Sequence, residues 1–313
     1  MMKHPRVLVV LMTAFVSSAV VFQGRSSVHA QETSATFRSS VALVPISAIV
    51  RDSRNRIVRD LARDDFHVLE NSRPRRILDF RATDDAPLSL AVLLDTSGSM
   101  RGPNWSRGRD VVDELVKWVN RPSDELALFT FDKALRQETA FTKDGDRIRQ
   151  ALNDVDAWGQ TSLYDAIAET AKRLAERRGQ RRAVIVITDG VDTSSTLSAA
   201  EVSGLASAID VPVYAIAVEP SHAARATDDN RESALTYLAY WTGGDVSHVT
   251  ALDMTRTVAA LMVELRHQYF LAIEADPTSG WHRIDVTTRR RGLTVRARSG
   301  YFAGPSGRAY SGE

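Results

Sequence analysis

The chain has 313 residues, of which 43% are hydrophobic and 25% are charged, and its formal net charge at pH 7 is +1. This composition is typical of a globular protein and gives no support to a polyanion-binding function. The chain has no cysteine, which excludes disulfides, thiol catalysis and zinc-thiolate sites.

The first thirty residues have the pattern of a signal peptide. Lys3 and Arg6 precede the apolar run 7–22, and Val28-His29-Ala30 places small residues at a cleavage site. We therefore expect a secreted, periplasmic or cell-envelope protein that is cleaved near Ala30. The alternative is a retained membrane anchor, but the run is shorter than the roughly 20 apolar residues of a spanning helix. We expect no stable membrane insertion after cleavage.

Residues 31–40 are polar and predict a flexible lead-in, and residues 41–86 predict a β segment. Apolar residues at every second position from residue 42 to residue 50 would share one face of a strand, which predicts a strand here; they are Ala42, Val44, Ile46, Ala48 and Val50. Residues 66–70 and 75–80 predict two further strands, joined by a turn at 71–74.

Residues 87–266 alternate between short apolar runs and amphipathic stretches, which predicts strands alternating with helices. We infer a doubly wound, mainly parallel sheet with helices on both faces, as in Rossmann-like folds. The predicted strands are 88–94, 126–131, 183–187, 213–218 and 246–249, with an antiparallel edge strand at 135–141; the main predicted helices include 163–174, 198–208, 232–241 and 253–266.

Residues 267–304 return to β alternation, with strands predicted at 269–275, 282–288 and 293–298, before a tail at 305–313. Neither β segment is large enough to bury a core alone. Our hypothesis is that 41–86 and 267–304 pair into one small β-sandwich-like domain, into which the α/β domain is inserted.

Oxygen-bearing side chains follow two of the predicted parallel strands. Asp95, Ser97 and Ser99 follow strand 88–94, Asp189 follows strand 183–187, and Thr161 stands just before a helix, at its predicted N-cap. Ligands of such sheets bind beyond the carboxyl ends of the strands, so we expect these side chains to converge. The Asp95–Ser99 segment alone would also suit a polar turn. The three elements together predict a site for a hard cation, Mg2+ or alternatively Mn2+ or Ca2+.

The pattern Asp-x-Ser-x-Ser, a later Gly-x-Thr-x-Leu and a Thr-Asp-Gly resembles the metal-ion-dependent adhesion site of von Willebrand factor A (VWA) domains, over residues 87–266. The resemblance implies that Ser97, Ser99 and Thr161 contact the metal directly. It implies that Asp95 and Asp189 act through water or orient the hydroxyls.

The flanking segments resemble those of secreted bacterial VWFA-related proteins of the acidobacterial type. The matching features are Arg51-Asp52, Leu61, Asp65-Phe66, Val68-Leu69-Glu70 and the run 295–302.

We therefore expect a noncatalytic, metal-dependent adhesion or interaction module, whose ion bridges to a Glu or Asp of a protein partner. One alternative is a structural or assembly component of the cell envelope with a fold-stabilising metal. A second alternative is a metal-dependent hydrolase. It is weaker because the sequence has neither a Gly-x-Ser-x-Gly nor a His-Glu-x-x-His motif.

Two arginine-rich segments, 177–182 and 289–291, lie at element boundaries without interleaved aromatic residues, so we expect no nucleic-acid partner. Trp105 and Trp158 flank the metal loops, and either packing or partner contact would explain them. The partner and the oligomeric state stay open.

Overall fold

The structure is a computed structural model that describes residues 43–82, 86–177, 181–189, 192–208, 210–218 and 229–303. The predicted signal peptide, lead-in and C-terminal tail lie outside the described residues. The strands are β1 (Leu43–Asp52), β2 (Phe66–Glu70), β3 (Arg73–Arg75), β4 (Ile77–Arg81), β5 (Leu88–Asp95), β6 (Glu125–Phe131), β7 (Leu135–Gln137), β8 (Arg181–Thr188), β9 (Val213–Val218), β10 (Val246–Val249), β11 (Tyr269–Glu274), β12 (Gly280–Thr288), β13 (Leu293–Ala297) and β14 (Gly300–Ala303). The helices are α1 (Pro103–Trp118), α2 (Gly145–Asn153), α3 (Leu163–Ala175), α4 (Ala199–Ala208), α5 (Asp229–Thr242) and α6 (Met254–Arg266).

A six-stranded sheet forms the centre of the molecule, in the order β10-β9-β8-β5-β6-β7. Its strands pair in parallel, except β7, which is antiparallel to β6. All eight residues of the central strand β5 are buried, because helices cover both faces of the sheet. The sheet confirms the predicted α/β class.

Each face of the sheet has its own hydrophobic core. Helices α1, α2 and α6 pack on one face through residues such as Leu115, Ile148 and Met262. Helices α3, α4 and α5 pack on the other through residues such as Ile167, Val202 and Leu238. Because both faces are filled, polar side chains of this sheet can meet a ligand only at its edges and strand ends.

Several elements differ from the sequence-based expectation. Helix α2 was not predicted, because Ile148 and Leu152 are its only buried residues and one such pair is a weak periodic signal. The predicted strand 75–80 is two strands, β3 and β4, which belong to different sheets. The turn before them is shorter than predicted, with Asn71 and Ser72 at positive φ.

Strands from both ends of the described region share two four-stranded sheets, β13-β1-β11-β4 and β14-β12-β2-β3. Strand β1 pairs with β11 and β13, and β2 pairs with β12. A third core lies between the two sheets and includes Ile46, Phe66, Leu271 and Ile284. Among the described residues, no helix is long and apolar enough to cross a membrane.

A buried carboxylate joins helix α6 to the β strands. Glu264 is 3% exposed and pairs with both Arg51 of β1 and Arg296 of β13. Arg296 also pairs with Asp245, just before β10. These ion pairs anchor the central sheet's last helix to the strands around it.

We expect Glu264→Gln to lower the free energy of unfolding by about 2–4 kcal/mol, because two arginines would lose their shared counter-charge in a buried site. Urea denaturation measures the change. The matched control is Glu169→Gln, whose side chain is 47% exposed and pairs with Arg173; it should cost below about 0.5 kcal/mol. Equal effects of the two substitutions would contradict the role of this junction.

Candidate metal centre

Three aspartates lie at the carboxyl ends of adjacent parallel strands. Asp95 is the last residue of β5, Asp132 follows β6, and Asp189 follows β8. The order β8-β5-β6 places all three at one edge of the sheet, where ligands of such sheets bind.

Asp95 is fully buried, and neutral groups hold its carboxylate. The N–H of Ser97 donates to Oδ1 at 2.8 Å, and the hydroxyl of Thr188 donates to Oδ2 at 2.6 Å. Burial raises the pKa of Asp95 to about 6, although these hydrogen bonds oppose the shift; the negative charge of Asp189 adds to it. A cation at this position would remove the cost of burying the charge.

A short 3-10 turn, Gly98–Met100, follows β5, with Ser97 as its N-cap and Ser99 within it. We call residues 97–100 the serine turn. The hydroxyl oxygens of the two serines are 3.1 Å apart, and Ser97 is buried while Ser99 is exposed. Met100 is fully buried and anchors the turn in the core. Two hydroxyls therefore face one small volume beside Asp95.

The loop before α3 is hydrogen-bonded to this turn. Gly98 N–H donates to Gly159 O at 3.0 Å, and Trp158 N–H donates to Thr96 O at 2.6 Å. Gly159 has φ +116°, and a Cβ there would approach the Asp132 side chain at 3.3 Å. Only glycine adopts this conformation without strain, so the loop depends on it.

Thr161 is buried at the end of this loop and is fixed by the segment after Asp189. Its N–H donates to Thr193 Oγ1 at 2.9 Å, and its carbonyl accepts from the N–H groups of Thr193 and Ser194. The predicted N-cap position was wrong by one residue: Ser162 is the N-cap of α3, and Thr161 precedes it. This leaves the Thr161 side chain free of a capping role.

Asp189 completes the set. Its Oδ1 is buried and has no hydrogen-bond partner among the described residues. A buried oxygen of this kind is costly unless an ion or another group satisfies it. The donor set of two carboxylates and three hydroxyls suits a hard divalent cation, so the residues present fit a metal ion.

Sequence reasoning missed several supporting residues. Thr188 orients Asp95, and Asp192 accepts from the N–H of Leu163 at the start of α3. Asp132 was not among the predicted site residues. Partial burial raises its pKa, but the hydrogen bond and charge of Arg136 and hydrogen bonds from backbone N–H groups outweigh this, so the pKa is lowered. Asp132 ends a parallel strand as Asp95 and Asp189 do, and this position was the signal that could have found it.

Two tryptophans lie beside the site. Trp158 is 71% exposed, and the Arg101 guanidinium stacks 4.0 Å from its ring centre. Trp105 is half-buried and packs against the core. Together they border a cavity of about 510 Å³ next to the serine turn. Trp105 therefore has a packing role, while Trp158 presents its ring to solvent.

A second group of potential metal ligands consists of Glu70 at the end of β2, Asp276 in the loop between β11 and β12, and His282 in β12. Arg75 already neutralises it, with Nε 2.5 Å from Glu70 Oε2 and a further ion pair to Asp276. Hydrogen bonds from Thr278, together with Arg75, lower the pKa of Asp276 to about 2. An arginine among the ligands disfavours a metal here, and we interpret the group as a structural network.

Known proteins resemble this chain over part of its length. Residues 90–191, which include all five predicted site residues, match the family model of the von Willebrand factor type A domain. A protein of Borreliella burgdorferi described as uncharacterized is 25% identical over 143 residues, 44% of this chain. The chain thus spans 42% of that relative's length.

Two solved structures share the fold. A von Willebrand factor type A protein from Catenulispora acidiphila has a TM-score of 0.51 at 12% identity, covering 83% of this chain and 73% of that one. Proximal thread matrix protein 1 from the mussel byssus, solved with a zinc-occupied MIDAS motif, has a TM-score of 0.50 at 16% identity, covering 63% and 49%. The family match identifies a von Willebrand factor type A domain over residues 90–191, and the two solved structures support the same fold.

Proposed function

We propose that this chain is an exported, divalent-metal-dependent protein-binding module, whose ion bridges to a Glu or Asp side chain of a partner. The observation that carries the proposal is the unpartnered, buried Oδ1 of Asp189 beside the buried carboxylate of Asp95. Two close carboxylates without a compensating cation are unfavourable, and a bound metal ion removes this repulsion.

Ser97, Ser99 and Thr161 would hold the ion through their hydroxyl oxygens, and Asp95 and Asp189 would orient them or act through water. Neutral hydroxyl ligands leave the ion much of its positive charge. The ion would then supply a site for an outside carboxylate oxygen. The mussel protein's zinc-occupied motif is consistent with a metal in this fold.

The surroundings of the site favour binding over catalysis. Ser97 Oγ is hydrogen-bonded to Ser99, and no histidine in the described part of the chain bonds to it as the base that a serine nucleophile would need. The exposed ring of Trp158, with Arg101 stacked on it, offers a contact surface next to the metal. Export rests on the leader pattern of residues 1–30.

We expect the protein to bind Mg2+ or Mn2+, and Asp189→Asn to weaken that binding by at least about tenfold, because the substitution removes a charge at the site while keeping its shape. Isothermal titration calorimetry on chelator-treated protein measures the affinity. Asp113→Asn, on the exposed side of α1, is the control and should bind normally. Absence of metal binding by the unsubstituted protein would refute the metal centre.

The raised pKa of Asp95 predicts a pH dependence with a definite sign. The folded, metal-free protein holds the Asp95 proton more tightly than the unfolded chain, so the contribution of Asp95 to stability falls as pH rises from about 4 to about 6. The loss is on the order of 3 kcal/mol, and it should vanish in Asp95→Asn. Metal affinity should rise over the same interval, since the ion competes with the proton.

Denaturant unfolding at several pH values, with chelator and with Mg2+, measures both effects. The difference in stability between the metal-free protein and Asp95→Asn isolates the contribution of Asp95. A difference that stays constant between pH 4 and pH 6 would contradict the assignment.

Partner binding should depend on the metal. We expect proteins captured from the native envelope fraction by the immobilised chain to be released by chelator and absent with Thr161→Ala. Capture that persists without metal would favour the alternative, in which the ion only stabilises the fold or a cell-envelope assembly. Quantitative mass spectrometry of the eluates distinguishes the two.

A further inference from the structure

A groove opens between strands β12 and β13. These strands lie far along the chain from the proposed metal residues Asp95, Thr161 and Asp189. It has a volume of about 400 Å³, within the range of roughly 300–1,000 Å³ common to ligand sites. Its floor includes the apolar residues Ile284, Val286, Val295 and Ala297. Neither the metal centre nor the family match, which ends at residue 191, involves these residues.

The backbone of β12 is open along this groove. Pairing with β14 ends at Arg283, and from Ile284 onward β12 pairs only with β2, on its other side, among the described strands. Arg283 O accepts from Asn71 N–H on the β2 side, whereas Ile284 N–H donates to Ser299 O on the groove side. Because alternate residues face opposite edges of a strand, the N–H and C=O of Val286 face the groove.

The opposite wall is also a strand edge. β13 is the outermost strand of its sheet and pairs only with β1 in the described part of the chain. Strands β12 and β13 follow one another in the chain but belong to different sheets. Each therefore has a strand edge that faces the same cavity. Such edges are templates for an added strand, and extended peptides use them for binding.

Aromatic rings line the end of the groove. Trp241 of α5 and Trp281 of β12 lie with ring centres 5.2 Å apart, and Tyr240 beside them is 64% exposed. The array continues to Tyr237 on one side and Phe302 on the other, at 5.3 and 5.1 Å. Exposed aromatic clusters of this kind are characteristic of binding surfaces.

Two groups of the groove favour an acidic occupant. Three arginines line it, of which Arg296 is paired with Glu264 and Asp245, and Arg298 with Asp210. Arg283 pairs with Asp285 in a solvent-exposed ion pair, which contributes little and can exchange for another carboxylate. The Nε–H of Arg296 is buried and lacks a hydrogen-bond acceptor among the described residues, and the Arg283 side chain is 69% exposed.

We propose that this groove is a second binding site, independent of the metal centre, which takes an extended acidic segment of a partner protein as an added strand along β12. Backbone hydrogen bonds to Val286 would fix the segment, and its apolar side chains would cover the floor. Its carboxylates would pair with Arg283 and accept from the Nε–H of Arg296.

The test uses the acetylated, amidated hexapeptide Glu-Val-Glu-Val-Glu-Val as probe, titrated into the full chain in EDTA by calorimetry. We expect a dissociation constant on the order of 100 μM or tighter. The peptide Lys-Val-Lys-Val-Lys-Val should not bind. Glu-Val-Glu-Pro-Glu-Val should bind at least fivefold more weakly, since proline lacks the N–H that an added strand donates.

Two groove variants alter only exposed side chains and should fold normally. We expect Arg283→Glu to weaken binding of the acidic probe at least fivefold and Tyr240→Ser at least threefold. Arg54→Glu, an exposed arginine in the turn after β1, is the matched control and should bind as the unsubstituted chain does.

No binding of the acidic probe, equal binding of the lysine peptide, or full binding by Arg283→Glu would overturn the proposal. Binding that requires Mg2+ would assign the probe to the metal centre and overturn it as well. A concentration-dependent dimer in sedimentation equilibrium that Arg283→Glu abolishes, without probe binding, would assign the groove to a second copy of the chain instead.

Discussion

The structure depends on a parallel sheet that is buried on both faces. Because helices fill both faces, the sheet has no room for polar groups except at the strand ends. Asp95, Asp132 and Asp189 occupy those ends on neighbouring strands. The same burial that stabilises the sheet raises the pKa of Asp95, and it makes the site a place where a cation is favourable.

The site is assembled by loops that hold one another and not by one continuous motif. Gly98 and Gly159 join the serine turn to the loop of Thr161, and Thr193 and Ser194 join Thr161 to the segment after Asp189. Hydroxyls and carboxylates from three parts of the chain are thereby held in place before any ion binds. Such pre-organisation favours binding, because little ordering remains to be done.

The strands at both ends of the described region add a second feature. Ion pairs of Glu264 link them to α6, and their two sheets separate at β12 and β13. This separation creates the aromatic, arginine-lined groove. We therefore propose two chemically distinct binding surfaces, one for a carboxylate held through a metal ion and one for an extended acidic strand.

The sequence by itself determined the α/β alternation, because buried parallel strands such as β5 read as continuous apolar runs. It also predicted that Asp95 and Asp189 lie at strand ends, since they end such runs, and the structure has them there. Their role in metal binding stays a prediction. Only the tertiary structure revealed helix α2, because it has too few apolar residues to be recognised in the sequence. The same is true of the hydrogen bond from Thr188 to Asp95, because the two residues are 93 positions apart in the chain. The open edge of β12 likewise arises where two sheets diverge, and local sequence does not encode which strands will pair.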